Sequence, residues 1–162
     1  MTATPDDFRA AVAALPAGVG VVALTWRGTA HATTVSSVAS VSLDPPLVLF
    51  CVHEDARLRE ALDDVDAWTL SVLGADQAAV ADWLASPGRP TVGQLDRVPH
   101  HPAPASGSPW VDDAAVWFDC RTEAVHHAGD HDIVVGRVLV ARRGPAAAGG
   151  LVHLEGRLRP LR

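Results

Sequence analysis

Tyrosine is absent from this chain, cysteine occurs twice and methionine once. With only Cys51 and Cys120, each inside an apolar stretch, a disulfide framework or a cysteine-rich zinc site is not expected; both thiols are read as buried and reduced. No apolar segment is long enough to span a bilayer: Val19 to Leu24 falls far short of the roughly 20 residues needed. Met1 to Arg9 carries two acids and no hydrophobic signal core, so a cytoplasmic protein is expected. A surplus of positive charge is also missing. The net charge of −6 gives no electrostatic reason to expect nucleic acid or an anionic membrane as partner. Neither a Gly-rich dinucleotide fingerprint, nor a phosphate loop, nor a nucleophile-elbow pentapeptide is present.

What remains is a chain of 162 residues, 48% hydrophobic and 20% charged, the size and composition of one folded domain spanning residues 1–162. Thr4-Pro5-Asp6-Asp7 reads as a helix start, with a hydroxyl cap, proline in the first turn and acids at the positive dipole end. Phe8, Val12 and Leu15 follow at helical spacing, and Pro16-Ala17-Gly18 ends the helix. Strands are expected at Val19–Trp26 and, after the turn Arg27-Gly28-Thr29, at Ala30–Ser42. Asp44-Pro45-Pro46 interrupts the pattern before a buried strand at Leu47–Val52. Helices are predicted at Glu54–Asp64 and Asp76–Ala85, with a strand at Ala67–Leu73 between them. Ser86–Pro109, rich in Pro, Gly, Ser and His, reads as one long excursion over the domain. Strands at Ala114–His126, Ile133–Val140 and Leu151–Leu158, with a flexible turn at Gly144–Gly150, complete the chain. A mainly β chain with three short helices and no regular β-α-β alternation favours an antiparallel barrel or sandwich over a doubly wound sheet.

Two segments carry candidate chemistry. In Thr33–Ser42, strand alternation puts Thr34, Ser36, Ser40 and Ser42 on one face and Thr33 and Ser37 on the other. Small hydroxyl residues leave room for a planar ligand against the backbone; they equally suit a strand that faces water. In Ala128-Gly129-Asp130-His131-Asp132, the Gly-Asp pair suits a tight hairpin, and His131 is either incidental to it or stands at a pocket mouth. Gly136 in the following strand marks a bulge or a close backbone approach. His126, His127 and His131 suggest a metal, but adjacent strand residues point to opposite faces, so no metal is expected. His100-His101 is expected to be solvated, and the five Trp to pack in the core or an interface.

Taken in order, Leu15-Pro16-Ala17-Gly18-Val19, Thr34-Val35-Ser36-Ser37, Ser40-Val41-Ser42-Leu43-Asp44-Pro45-Pro46-Leu47-Val48-Leu49, Asp119-Cys120 and Gly129-Asp130-His131 resemble the flavin reductase family, over nearly the whole chain. The resemblance implies the FMN-binding split barrel, a homodimer, and hydride transfer from NADH or NADPH to FMN or FAD, with reduced flavin passed to a partner monooxygenase. It implies that Thr34, Val35, Ser36 and Ser37 line the isoalloxazine, and that Cys51, Val52 and His53 take the ribityl-phosphate arm with Arg57 supplying charge. It places Asp130 and His131 beside the nicotinamide, with His131 as the catalytic-site side chain, and adds Ser40 and Ser71 to the flavin set. Several positions depart from the family pattern. Ala56-Arg57-Leu58 keeps only the Arg of a hydroxyl-rich phosphate motif, and Ser71 replaces an Asn. No aromatic stands near Val92, and Leu154 and Leu158 replace aromatics of the last strand. Asp132 adds negative charge near the expected nicotinamide site. A weak, exchangeable flavin follows. The alternatives are a split-barrel flavoprotein acting on another substrate, and a non-catalytic binding protein of the same fold.

Overall fold

In a computed structural model, residues 2–145 and 149–162 are described; part of the turn expected at Gly144–Gly150 lies outside them. Helix α1 (Pro5–Ala13) starts as its sequence requires: Thr4 caps it by accepting the Asp7 N–H at 3.2 Å. After β1 (Ala17–Gly18), strands β2 (Gly20–Trp26) and β3 (Thr29–Val35) form a hairpin through Arg27-Gly28, both at positive φ. Then come β4 (Ala39–Leu43), β5 (Pro46–His53), α2 (Arg57–Asp64), β6 (Ala67–Val72) and α3 (Ala78–Ala85). The chain continues through β7 (His100–Pro102), β8 (Pro109–Val111), β9 (Val116–Ala128), β10 (His131–Arg143), β11 (Gly150–Leu154) and β12 (Arg157–Leu161).

One antiparallel sheet dominates, in the order β3-β2-β6-β9-β10-β5-β4. Its inner face holds Leu24, Phe50, Trp68, Leu70, Cys120 and Val134, covered by Leu58 and Leu62 of α2. A second core lies behind β2, where Val19, Val21 and Ala23 meet Leu73, Leu84, Leu95, Val98 and Leu151. With β2 covered on both faces, its residues Val21 to Leu24 read as an unbroken apolar run rather than an alternation. β5 differs from the expected fully buried strand: Val48, Phe50 and Val52 are buried while the residues between them are half-buried, so it covers the core with one face only.

Three further expectations change. The single strand expected over Ala30–Ser42 is two, because the chain leaves β3 after Val35 and crosses at Ser36–Val38 to the opposite end of the sheet. Ser37 spans that crossing. Its hydroxyl accepts from the Cys51 N–H at 2.8 Å and donates to the Cys51 carbonyl at 3.2 Å, standing in for a ladder bond between the sheet's two ends. The strand expected over Leu151–Leu158 is a hairpin, turning at Glu155-Gly156 with φ of 53° and 71°. Finally, Phe8, Val12 and Leu15 do not enter a core; they are 65%, 44% and 62% exposed, since no described part of the chain covers that face of α1. The excursion from Ser86 is anchored, as Gln94 accepts from the Ala32 N–H at 2.9 Å and Leu95 and Val98 are buried.

Candidate flavin and nicotinamide site

Where the sheet's two ends approach, they leave a cleft of about 770 Å³. One wall is Thr33 to Ser37, the other is Cys51, Val52 and His53 on β5 with Ala56, and the rim is Ala128, Asp130, His131 and Ile133 of the β9–β10 hairpin. Phe8 and Val12 of α1 overhang it. The hydroxyl strand therefore does line a ligand-sized cavity, of the 300–1,000 Å³ class typical of small-molecule sites, rather than simply facing water. Its side chains are partly committed: Thr34 donates to the Ala81 carbonyl at 2.8 Å and Ser37 is bound to Cys51, so a ligand would meet mainly backbone and small side chains.

The rim is built by register. On β10 and β5, His131 stands directly opposite His53, and their rings meet edge to face at 5.2 Å. His53 thus sits at the His131 end of the cleft. His131 Nδ1 lies 2.7 Å from Asp130 Oδ1. An ionised carboxylate can only accept, so Nδ1 carries a proton and donates it to Asp130; in the neutral ring Nε2 is then the acceptor. The hydrogen bond from His131 holds the Asp130 carboxyl below the usual carboxylate range, with the field of His131 next in weight. Asp132 is a correction. Strand alternation turns it away from His131, and its carboxylate is buried against Arg59 Nε and His127 Nδ1, the latter at 3.0 Å. It adds no free charge to the cleft, and the bond to Arg59 is the main reason its carboxyl is held low.

Ser40 and Ser71 are placed away from the cleft. Ser40 pairs with Val48 on the outer strand β4 and does not line the cleft. Ser71 is buried, and its hydroxyl accepts from the Val111 N–H at 3.0 Å. Arg57 stands 5.4 Å over the Trp26 ring and lines a small adjoining cavity of about 40 Å³, which shares Thr33 and Ala56 with the cleft.

That small cavity holds what the sequence did not reveal. Among the described residues, His31 Nδ1 and Arg89 Nε are buried there without a hydrogen-bond partner, and both residues line it with Arg57. Arg89 is fixed by donating to the Ala32 carbonyl at 3.2 Å and the Thr33 hydroxyl at 3.1 Å, and burial pushes its pKa down. Burial, then the field of Arg57, pushes the His31 imidazole toward its neutral form. Ala56 offers no side-chain cap to α2, so among the described residues the helix start beside the recess has no capping side chain. The unpartnered Arg89 Nε–H beside the Arg57 guanidinium suits a phosphate group. A cleft lined by Thr33 to Ser37 thus adjoins a recess lined by Arg57 and Arg89.

The sequence profile of the flavin reductase like domain matches residues 12–162. The chain belongs to this family. It is similar to the NADH-dependent FMN reductase of Streptomyces nodosus subsp. asukaensis, with 38% identity over 150 residues that cover 93% of this chain and 81% of that protein. Among solved structures it is similar to the flavin reductase component of a bacterial two-component tryptophan halogenase, with a TM-score of 0.91, 38% identity and 98% of each chain covered. It is also similar to the NADH:FAD oxidoreductase of Streptomyces globisporus solved with NAD and FAD fragments, with a TM-score of 0.90, 33% identity, and 100% of this chain and 97% of that one covered. The family's mainly β fold with few short helices is the fold observed in this chain.

Proposed function

We propose that this chain is an NAD(P)H-dependent flavin reductase that passes hydride from the nicotinamide to FMN or FAD and supplies reduced flavin to a partner monooxygenase. The observation that carries the reading is the cleft itself, with the Thr34–Ser37 wall on one side and the His53–His131 pair at its rim. The flavin supplies the hydride-accepting ring when bound. The chain's own residues bind, orient and exclude: Thr34 to Ser37 present backbone to the ring, and Ser37 holds that wall at a fixed distance from β5. His131 Nε2 accepts from the nicotinamide amide, while Asp130 keeps the imidazole in the tautomer that can do so. No side chain has to gain or lose a proton for hydride to move; orientation of the two rings is the protein's contribution.

In this reading residues 1–162 are one cytoplasmic domain, a split barrel whose two ends meet at the Ser37–Cys51 seam, and it works as a homodimer. Support for the dimer is the apolar face of α1, where Phe8 and Val12 overhang the cleft and remain exposed. A second copy covering that face would also close the cleft. Light scattering is expected to give the mass of two chains, and Phe8→Asp with Val12→Asp to give one; a monomeric native protein would remove this part of the reading.

The test of function is oxidation of NADH or NADPH followed at 340 nm in air, with FMN, FAD or riboflavin and a control without flavin. Flavin-dependent turnover is expected. If nicotinamide is not oxidised while flavin still quenches the protein's fluorescence, the reading passes to a split-barrel flavoprotein acting on another substrate. The cationic recess makes a separate prediction. Arg89→Ala or Arg57→Ala is expected to weaken FMN by about tenfold or more, the worth of one charge-assisted contact, and to leave riboflavin, which has no phosphate, nearly unchanged. Equal losses for both flavins in a titration would place the phosphate elsewhere.

A further inference from the structure

The β9–β10 hairpin turns just before His131, where β10 begins its pairing with β5. Val125 to Asp130 are all exposed, so little apolar burial holds its tip. Two polar ties reach it from the segment that follows β5. One is the Glu54 N–H, which donates to the Asp130 carbonyl at 3.1 Å. The other is Arg59 on α2, whose Nε donates to the Asp132 carboxylate, one residue beyond His131. The second tie is the better protected: the Arg59 and Asp132 side chains are only 19% and 9% exposed. His127, on the facing strand, donates to the other Asp132 oxygen, so the carboxylate joins both strands of the hairpin to the helix.

We propose that Arg59 is a positioning residue for His131: its ion pair with Asp132 sets where the hairpin tip stands over the cleft, and so governs nicotinamide use without touching the ligand. The inference rests on the assignment of His131 to the nicotinamide given above. A strand residue's side chain is aimed by the backbone on either side of it, and fixing Asp132 fixes the backbone that aims His131 toward His53. Hairpin ends with few apolar contacts otherwise open locally at low cost. Arg59 lies on the far side of the strand from His131, and it does not line the cleft. Its second ion pair, to the exposed Asp63 at 2.8 Å, lies within α2 and makes no direct contact with the hairpin.

The experiment is a double-mutant cycle. Arg59→Met, His131→Ala and the double variant are assayed for the KM of NADH, with flavin affinity followed by fluorescence quenching. Arg59→Met is expected to raise the KM for NADH about fivefold, within the range of coupling between residues of one network, while flavin affinity stays within about twofold. In the His131→Ala background the same substitution is expected to add nothing. Arg59→Lys is expected to recover part of the loss, and Asp63→Ala to change nothing. Should Arg59→Met fail to fold, Asp132→Asn breaks the same ion pair while leaving a polar, isosteric side chain, and the cycle is read with it. An unchanged KM in the native background, or the same rise with His131 absent, overturns the proposal. If His131→Ala itself leaves the KM unchanged, the assignment of His131 fails instead, and the cycle tells the two failures apart.

Discussion

His131→Ala is expected to raise the KM for NADH by about 10- to 100-fold, the cost of leaving a desolvated amide without its hydrogen-bond partner, and to leave the dissociation constant for FMN within about twofold. The asymmetry follows from position. In the proposed reading the flavin lies against Thr34 to Ser37, on the other side of the cleft, whereas His131 is on the rim, with its Nδ1 donating to Asp130. Asp130→Asn tests the same arrangement from behind. The amide also accepts the Nδ1 proton, so the tautomer survives, and a smaller rise in KM is expected. Steady-state kinetics at saturating flavin, beside a flavin titration monitored by fluorescence, separates the two effects. Parallel losses of NADH and flavin would mean that His131 shapes the whole cleft rather than its nicotinamide end.

Gly136→Ala is expected to cost about 3 kcal/mol of folding stability, the upper part of the usual range for overfilling a core. A methyl group on Gly136 would overlap Trp68 Cζ2 and stand 2.7 Å from Cη2. The indole has no room to yield. Trp68 is fully buried, its ring meets Phe50 edge to face at 4.9 Å, and its Nε1 donates to the Thr122 hydroxyl at 3.0 Å. Thr122 is also the residue paired with Gly136, at the register shift between Val135 and Gly136, so the bulge and the indole are adjusted to one another. For a domain of this size such a loss lowers Tm by roughly 6–12 °C, readable by calorimetry. Trp68→Phe in the Gly136→Ala background is expected to recover part of it. An unaltered Tm in the single variant would show that the ring moves aside freely.

Gly136 was legible from the sequence, because a lone glycine inside a β-branched run marks a point where the strand has no room for a side chain or departs from its ladder. The same holds for the Thr4 cap, the Gly129-Asp130 turn and most strands, each of which is specified by residues adjacent to one another. Long-range geometry was less accessible. Ser36 to Val38 continue the composition of β3, and only the distance between the sheet's two ends makes the chain cross there. Ser71 sits in a strand as expected, but whether its hydroxyl meets a ligand or the Val111 backbone depends on β8, 40 positions later. Phe8 and Val12 have the spacing of a core-facing helix, and spacing does not say which surface they face. Asp132 looked like an unwelcome charge because its partner, Arg59, lies 73 positions away. Arg89 and His31 carried no signal at all: one lies in an irregular excursion, the other in a strand, and the small recess alone brings them together. Glu155-Gly156 is the opposite case, a local turn signal that a single strand over Leu151–Leu158 passes over.

The two thiols of this chain live in different chemical worlds. Cys120 is fully buried within the sheet's inner face, and burial, with Asp119 beside it, pushes its ionisation far up. Cys51 is half-buried in the cleft wall, next to the seam closed by Ser37. An alkylating reagent acting on the folded chain therefore meets one sulfur and not two, since the thiolate is the reacting form and access selects among thiols. That sulfur lies where the ligand would lie, so the native protein carries its own single attachment point for a spectroscopic label, one whose reaction with the reagent is slowed whenever the cleft is filled.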